Sequence, residues 1–184
     1  MDNGASSYRR YLDGDDDGLI ELIRDYKDGL ILYLNGFTGN LSLAEELMED
    51  TFFRLAAKKP KFSGKSSFKT WLYTIAHNSA VDELRKRSRF SDTPIEDRYD
   101  ISDTKNIERD YLREEQKISL HRAMEALSPD YREVLYLTFF EDLSNSEAAL
   151  VMKKSKRQVE NLLYRAKLAL RSKLEKEGFE YERL

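Results

Sequence analysis

From Phe68 to Arg89 the chain runs without a proline or a glycine, directly behind a polar loop, Ser63-Gly64-Lys65-Ser66-Ser67. That pairing constrains the fold most: a long helix entered through a turn rich in helix-capping residues. At 3.6 residues per turn, Phe68, Leu72, Ile75 and Ala76 form one buried stripe. A neighbouring face gathers Trp71, Asn78, Asp82, Arg85 and Arg89 at steps of seven, four, three and four. An aromatic plane, an amide and guanidinium groups stack on, hydrogen-bond to and neutralise exposed nucleotides. Stacking needs an exposed ring, and Trp71 beside Phe68 and Ile75 is expected in the core.

Only 3 Pro and 8 Gly, with Leu, Ala, Glu and Lys abundant, predict an all-α protein. Its 184 residues suffice for one domain or two small helical ones. The absence of cysteine excludes disulfides, thiolate zinc sites and cysteine nucleophiles. The N-terminal stretch has no apolar core of a signal peptide, and no apolar run approaches the ~20 residues of a membrane span. The expectation is a cytoplasmic protein with no membrane partner. A net charge of −3 does not by itself point to nucleic acid. Its distribution does: acid dominates Asp13–Asp17, Glu45–Asp50 and Asp92–Asp110, whereas base dominates Lys58–Arg89 and Lys153–Lys176. Two basic blocks between acidic ones predict two separate anion-binding surfaces.

The run Asp13–Gly18 imitates the first half of a calcium loop, but Arg24 stands where the bidentate Glu belongs. Acids feeding the positive N-terminal end of a helix are the expectation. That helix carries Leu19, Leu22, Ile23, Tyr26, Leu30, Tyr33, Leu34 and Phe37, and Gly36, Gly39 and Asn40 break it. Ser42 and Glu45 read as a capping box opening the next helix, with Ala44, Leu47, Met48, Thr51, Phe52 and Leu55 inward. Glu46, Glu49, Asp50 and Phe53 face outward, an acidic patch around an aromatic that suits a basic protein partner. Residues 91–106, acidic and aperiodic, read as a flexible linker between a domain at 1–90 and another at 107–184.

The second domain opens with Ser128-Pro129, a cap followed by proline at the first helical position. Ser144–Glu147 and Ser155–Gln158 are two more caps of the box kind, the latter starting a helix with Val159, Leu162, Leu163, Ala166, Leu170 and Leu174 inward. A short helix, a brief turn and a longer helix make a helix-turn-helix. Arg157, Asn161, Tyr164 and Arg165 would meet base edges, and Lys153, Lys154 and Lys156 phosphates. His77 and His121 show no ligand spacing, so no metal and no cofactor is expected.

Together these residues resemble the extracytoplasmic-function sigma factors, promoter-specificity subunits of bacterial RNA polymerase. The resemblance runs from about Gly18 to Glu175. In region 2 it rests on AEELMEDTFFRL (Ala44–Leu55) and KFSGKSSFKTWLYTIAHNSAVDELRKR (Lys61–Arg87). In region 4 it rests on LSPDYREVLYLTFFEDLSNSEAALVM (Leu127–Met152) and SKRQVENLLYRAKLALRSKL (Ser155–Leu174). It implies binding of core RNA polymerase, with Glu46, Leu47, Glu49, Asp50 and Phe53 on the β′ coiled coil and a region 4 groove on the β flap. It implies binding of promoter DNA: Lys65, Ser66, Ser67, Phe68, Asn78, Asp82, Arg85 and Arg89 at the −10 element, where duplex is melted. Lys154, Ser155, Lys156, Arg157, Asn161, Tyr164 and Arg165 would read the −35 element. It implies no enzymatic activity and leaves room for an anti-sigma factor without requiring one. The sequence departs from the family at Glu49, where Gln is common, and at Lys153-Lys154, where Gly and an apolar residue are usual. A left-handed Lys153 would cost on the order of 1 kcal/mol relative to Gly. The competing reading is an autonomous helix-turn-helix regulator, which gives the polar loop and the Trp71–Arg89 face no role. A hydrolase using the acids of Asp13–Asp17 or Glu45–Asp50 lacks a paired His or a ligand set.

Overall fold

The structure, a computed structural model, describes residues 3–90, 120 and 122–176, with side chains of the first block defined over 4–88. The expected linker, His121 and the side chain of Arg89 lie outside the described residues. Four helices make the first half: α1 (Asn3–Leu12), α2 (Asp17–Thr38), α3 (Leu41–Lys58) and α4 (Phe68–Phe90). Residues 122–125 are helical and lead to α5 (Pro129–Leu135), which widens into a π turn (Tyr136–Phe140). Then come α6 (Asn145–Val151) and α7 (Lys156–Lys176). The described residues form an all-α protein of two small helical units.

The core of the first unit follows the helical stripes. Leu22, Leu30, Leu34, Leu55, Phe68 and Leu72 are fully buried, each worth roughly 1.5–3 kcal/mol over leaving it exposed. Phe62, Phe68, Trp71 and Tyr8 join in one aromatic cluster, with ring centroids 5.2–5.6 Å apart. Trp71 is half-buried and packs against the core through this cluster.

The sequence reading passes over α1, whose two serines and one glycine are poor helix formers. Tertiary contact holds it. Tyr8 donates to the Pro60 carbonyl at 2.7 Å and Tyr11 to the Ala56 carbonyl at 3.1 Å. A Cβ at Gly18 would run into the Ser7 carbonyl oxygen, so glycine lets α1 seat against α2.

Two local expectations are corrected. Gly36 does not end α2; the helix continues to Thr38 and stops at Gly39, whose φ of 68° is the left-handed cap. Ser42 is inside α3 rather than capping it. The cap is Asn40, extended at φ −145°, whose side chain accepts from Leu43 N at 2.9 Å. Asn is as good a cap as Ser, and it comes directly after the Gly39 stop, two residues early.

The acids of Asp13–Asp17 serve the turn between α1 and α2. Asp15 pairs with Arg10 at 2.6 Å and accepts from Asp17 N at 3.1 Å.

In the second unit, Ser144 and Glu147 form the expected capping box. Ser155 and Gln158 do likewise, with Gln158 Oε1 accepting from Ser155 N at 2.7 Å and Ser155 Oγ from Gln158 N at 3.2 Å. Ser128 precedes Pro129 in extended conformation but makes no side-chain cap bond. The π turn closes with Glu141 N donating to Tyr136 O at 3.2 Å, and it stacks the rings of Tyr136 and Phe140.

Candidate nucleic-acid interface

Ser67 caps α4, accepting from Thr70 N at 3.2 Å. Ahead of it Gly64 takes φ 69°, which turns the loop and leaves Lys65 exposed and Ser66 half-exposed. Phe68, expected among the DNA contacts, has no exposed surface. The first inward position of an amphipathic helix is core by register, so Phe68 positions the loop and cannot touch a ligand. Along α4, Asp82 and Arg85 are exposed and line a cleft of about 330 Å³ with Asp50, Arg54 and Lys86. Asn78 is half-buried one turn earlier, its Oδ1 buried without a hydrogen-bond partner among the described residues. An acceptor held dry and unpaired is an uncommon feature of a folded chain.

The helix-turn-helix forms as its caps predict. Ala148, Ala149, Val151 and Met152 of the first helix and Val159, Ala166 and Leu174 of the second are buried. Between them Lys153 takes φ 52°, so the lysine occupies the left-handed position that glycine usually fills. Ser155, Lys156, Arg157, Asn161, Tyr164 and Arg165 are all exposed on one side of α7, Tyr164 at 67%. Lys154 is half-buried and paired with Asp130 at 3.1 Å.

The acidic patch on α3 is also present. Glu46, Glu49 and Asp50 are exposed and Phe53 is 70% exposed. Leu47, expected with them, is 4% exposed. It lies on the inward stripe of α3 and supports the patch from below. In the second unit Phe139 and Phe140 are each 53% exposed and border an apolar cleft of about 300 Å³ with Leu135 and Leu170.

Sequence reasoning missed how the two units meet. Ser67 and Thr70 both donate their hydroxyls to Glu147 Oε1, at 3.0 and 3.1 Å. Lys69 Nζ sits 2.9 Å from Glu141 Oε2 and 3.0 Å from the Glu141 carbonyl. Deeper in, Glu133 Oε1 accepts from Tyr33 at 2.7 Å and lies 2.8 Å from His77 Nδ1. Glu133 is 4% exposed and His77 7%, so the pair is largely removed from water. Burial first, then the Glu133 charge, holds the Tyr33 hydroxyl well above its ordinary value, so it stays a neutral donor. Partial burial pushes the Glu147 carboxyl up, but hydrogen bonds from Ser144, Ser67 and Thr70 outweigh it and leave the group below its ordinary value. The one available signal was a histidine beside the inward Ala76, a polar group that must find a partner once buried.

A helix-turn-helix joined to a helical unit with a polar loop and a basic helix face defines a DNA-binding transcription factor with two contact surfaces. Residues 22–90 match the family Sigma-70 region 2, and residues 117–170 match Sigma-70 region 4. The chain is 31% identical to RNA polymerase sigma factor YlaC of Bacillus subtilis, across 87% of this chain and 94% of that protein. It is 30% identical to the RNA polymerase sigma-H factor of Pseudomonas aeruginosa, across 81% and 82%. Among solved structures, the sigma factor RpoE from Bartonella quintana, in complex with the anti-sigma factor NepR, is similar with a TM-score of 0.70. That match has 24% identity and covers 84% of this chain and 95% of RpoE, a likeness of fold. The chain belongs to the extracytoplasmic-function sigma factors of RNA polymerase. It binds core RNA polymerase and promoter DNA and gives transcription initiation its promoter specificity.

Proposed function

We propose that the two surfaces divide promoter recognition between them. Lys65, Ser66, Ser67, Asn78, Asp82 and Arg85 bind the non-template strand of the −10 element. Ser155, Lys156, Arg157, Asn161, Tyr164 and Arg165 bind the −35 element in the major groove, with Lys154 at the flanking phosphates. The place of Asn78 on this face of α4, half-buried one turn before Asp82 and Arg85, supports a base-reading role for its amide. Melting follows from differential binding: a surface that prefers unstacked bases to duplex shifts the promoter toward the open form. Glu46, Glu49, Asp50 and Phe53 dock on the β′ coiled coil, and the Phe139–Phe140 cleft on the β flap. Domain limits of 1–90 and 107–184 suit this division. An anti-sigma factor is a further proposed partner, on the precedent of the Bartonella protein. The chain performs no covalent chemistry of its own and acts in the cytoplasm; among the described residues no helix is long and apolar enough to cross a membrane.

The observation that carries the reading is the polar face of α7, exposed from Ser155 to Arg165 behind a formed capping box. The test is transcription in vitro from genomic fragments, with bacterial core polymerase with and without this protein. Initiation at defined sites that depends on the protein, and that fails in an Asn78→Ala/Arg85→Ala double variant, is expected. Initiation unchanged in that variant would remove the −10 assignment.

A further inference from the structure

The −10 loop has little of its own to hold it in place. Lys59 N bonds back to the Leu55 carbonyl and Trp71 N to the Ser67 carbonyl, but residues 60–66 make no backbone–backbone hydrogen bond among the described residues. The tip of the loop touches nothing: a Cβ at Gly64 would meet no atom within 4 Å. Such a stretch loses backbone entropy when a ligand orders it, and that loss weakens binding unless the loop is ordered beforehand.

The order comes from α1. Tyr8, 1% exposed, donates its hydroxyl to the Pro60 carbonyl at 2.7 Å, where the loop leaves α3. Its ring centroid lies 5.5 Å from that of Phe68 and 5.3 Å from that of Trp71, where the loop enters α4. Phe62, inside the loop, completes the set at 5.6 Å from Phe68 and 5.2 Å from Trp71. One side chain therefore ties down both ends. Burial pushes the Tyr8 hydroxyl up to about 12, so it remains a neutral donor. Gly4, one turn before Tyr8, allows the close approach: a Cβ there would fall 2.5 Å from Phe68 Cδ1 and 2.6 Å from the Tyr26 hydroxyl.

Tyr11 makes a bond of the same kind to a different target. Its hydroxyl donates to the Ala56 carbonyl at 3.1 Å, in the last turn of α3. That carbonyl belongs to a helix with its own ladder of hydrogen bonds, so Tyr11 secures α1 rather than the loop.

We propose that Tyr8 is a positioning residue for −10 recognition. Through the Pro60 carbonyl and the Phe68 and Trp71 rings, it holds the loop in its strand-binding form before DNA arrives. α1 lies ahead of the residues matched to Sigma-70 region 2, and the sequence reading gives it no part in DNA binding. The inference rests on the −10 assignment of the loop.

The test compares Tyr8→Phe with Tyr11→Phe. Both keep a ring and lose one hydroxyl bond to a carbonyl from the same helix, so their costs in stability should match. Holoenzyme is reconstituted from bacterial core polymerase and each full chain. Fluorescence anisotropy measures its affinity for a single strand carrying the non-template −10 region of a promoter it uses, and for a scrambled strand of equal length. Trp71 is the one tryptophan of the chain, so acrylamide quenching of the free protein reads how well Tyr8 and Phe62 stay packed on it.

Tyr8→Phe should lower the preference for the −10 strand over the scrambled one about fivefold, the share of loops no longer held ready. It should also raise Trp71 quenching, with a thermal midpoint level with that of Tyr11→Phe. Tyr11→Phe should match wild type in both preference and quenching. A wild-type preference in Tyr8→Phe, unchanged quenching, or an equal loss in Tyr11→Phe overturns the inference, and α1 would then serve stability alone. If wild-type holoenzyme itself shows no preference for the −10 strand, the −10 assignment falls and the role of Tyr8 falls with it.

Discussion

The fronts of α4 and α7 are built alike and end up in opposite conditions. Each begins at a serine cap, Ser67 or Ser155, with lysines close by. On α7 the cap is closed by a residue of its own helix, Gln158, and the recognition face stays open to solvent. On α4 Ser67 likewise accepts from Thr70 N of its own helix, but its hydroxyl also donates to a carboxylate from the other half of the chain. A cap left to its own helix presents that helix to a partner, whereas one that also serves a distant carboxylate makes availability depend on tertiary structure. The two DNA-facing surfaces thus differ in access while sharing chemistry.

The largest expected effects test whether the two fronts are separable. Phe68→Ala removes a fully buried ring under the −10 loop and should cost about 3–5 kcal/mol in denaturant unfolding. Its effect should appear as lost stability of the first unit; normal stability with lost DNA binding would restore Phe68 to the contact surface. Glu133→Ala should cost the docking of the two units about 3 kcal/mol, because it strands His77 and Tyr33 without their acceptor. Because the chain has no cysteine, cysteines introduced at exposed Lys58 and Lys173 take spin labels that report the separation of the units. Label distances should lengthen while duplex binding by α7 is unchanged, and an unaltered distance would place the docking energy elsewhere. Arg165→Ala should weaken −35 duplex binding by about 1–3 kcal/mol if it reads a base, equally in the docked and the Glu133→Ala backgrounds. A cost confined to one background would mean that access to α7 also depends on docking. Lys153→Gly should stabilise the second unit by about 1 kcal/mol by relieving a left-handed lysine, with label distances unmoved.

The smallest effect is acid sensitivity. Glu147 in the folded chain titrates below its ordinary 4.5. Its contribution is therefore complete above about pH 4.5 and is lost as pH falls through the lowered value. Label distances should hold steady from neutral pH down to about pH 5 and lengthen below that. Glu147→Gln should abolish that step. Because Ser144 shares the same carboxylate, part of the acid effect will be fraying of α6, visible by circular dichroism.

How much of this was legible in the sequence follows from how local each feature is. The stripes of α2, α3, α4 and α7 and the two boxes at Ser144 and Ser155 depend on residues within a few turns, and periodicity shows them. The left-handed Lys153 was legible only through the family resemblance, which puts Gly at that position of the turn. Ser42 misled because a good cap pattern sat two residues past a better stop-and-start at Gly39-Asn40. Phe68 and Leu47 were given outward roles although their own stripes put them inward. The docking contacts were beyond reach: Tyr33 and Glu133 are 100 positions apart, and no local pattern encodes such a pair. α1 escaped for a related reason, because its helix is sustained by partners on α3 and the following loop rather than by propensity.

The π turn of Tyr136–Phe140 has a rotational consequence. In a regular α-helix, residues eight apart lie about 80° from each other around the axis, at about 100° per residue. One residue absorbed by a wider turn reduces the angle between Glu133 and Glu141 to roughly 20°. That brings both carboxylates onto the same side, one toward His77 and the other toward Lys69. Straightening that turn into a regular α-helix without changing its length would return Glu141 to about 80° from Glu133 and swing it away from Lys69 while leaving Glu133 in place. The width of a single turn, at a site remote from DNA, thus sets whether Glu141 can reach Lys69.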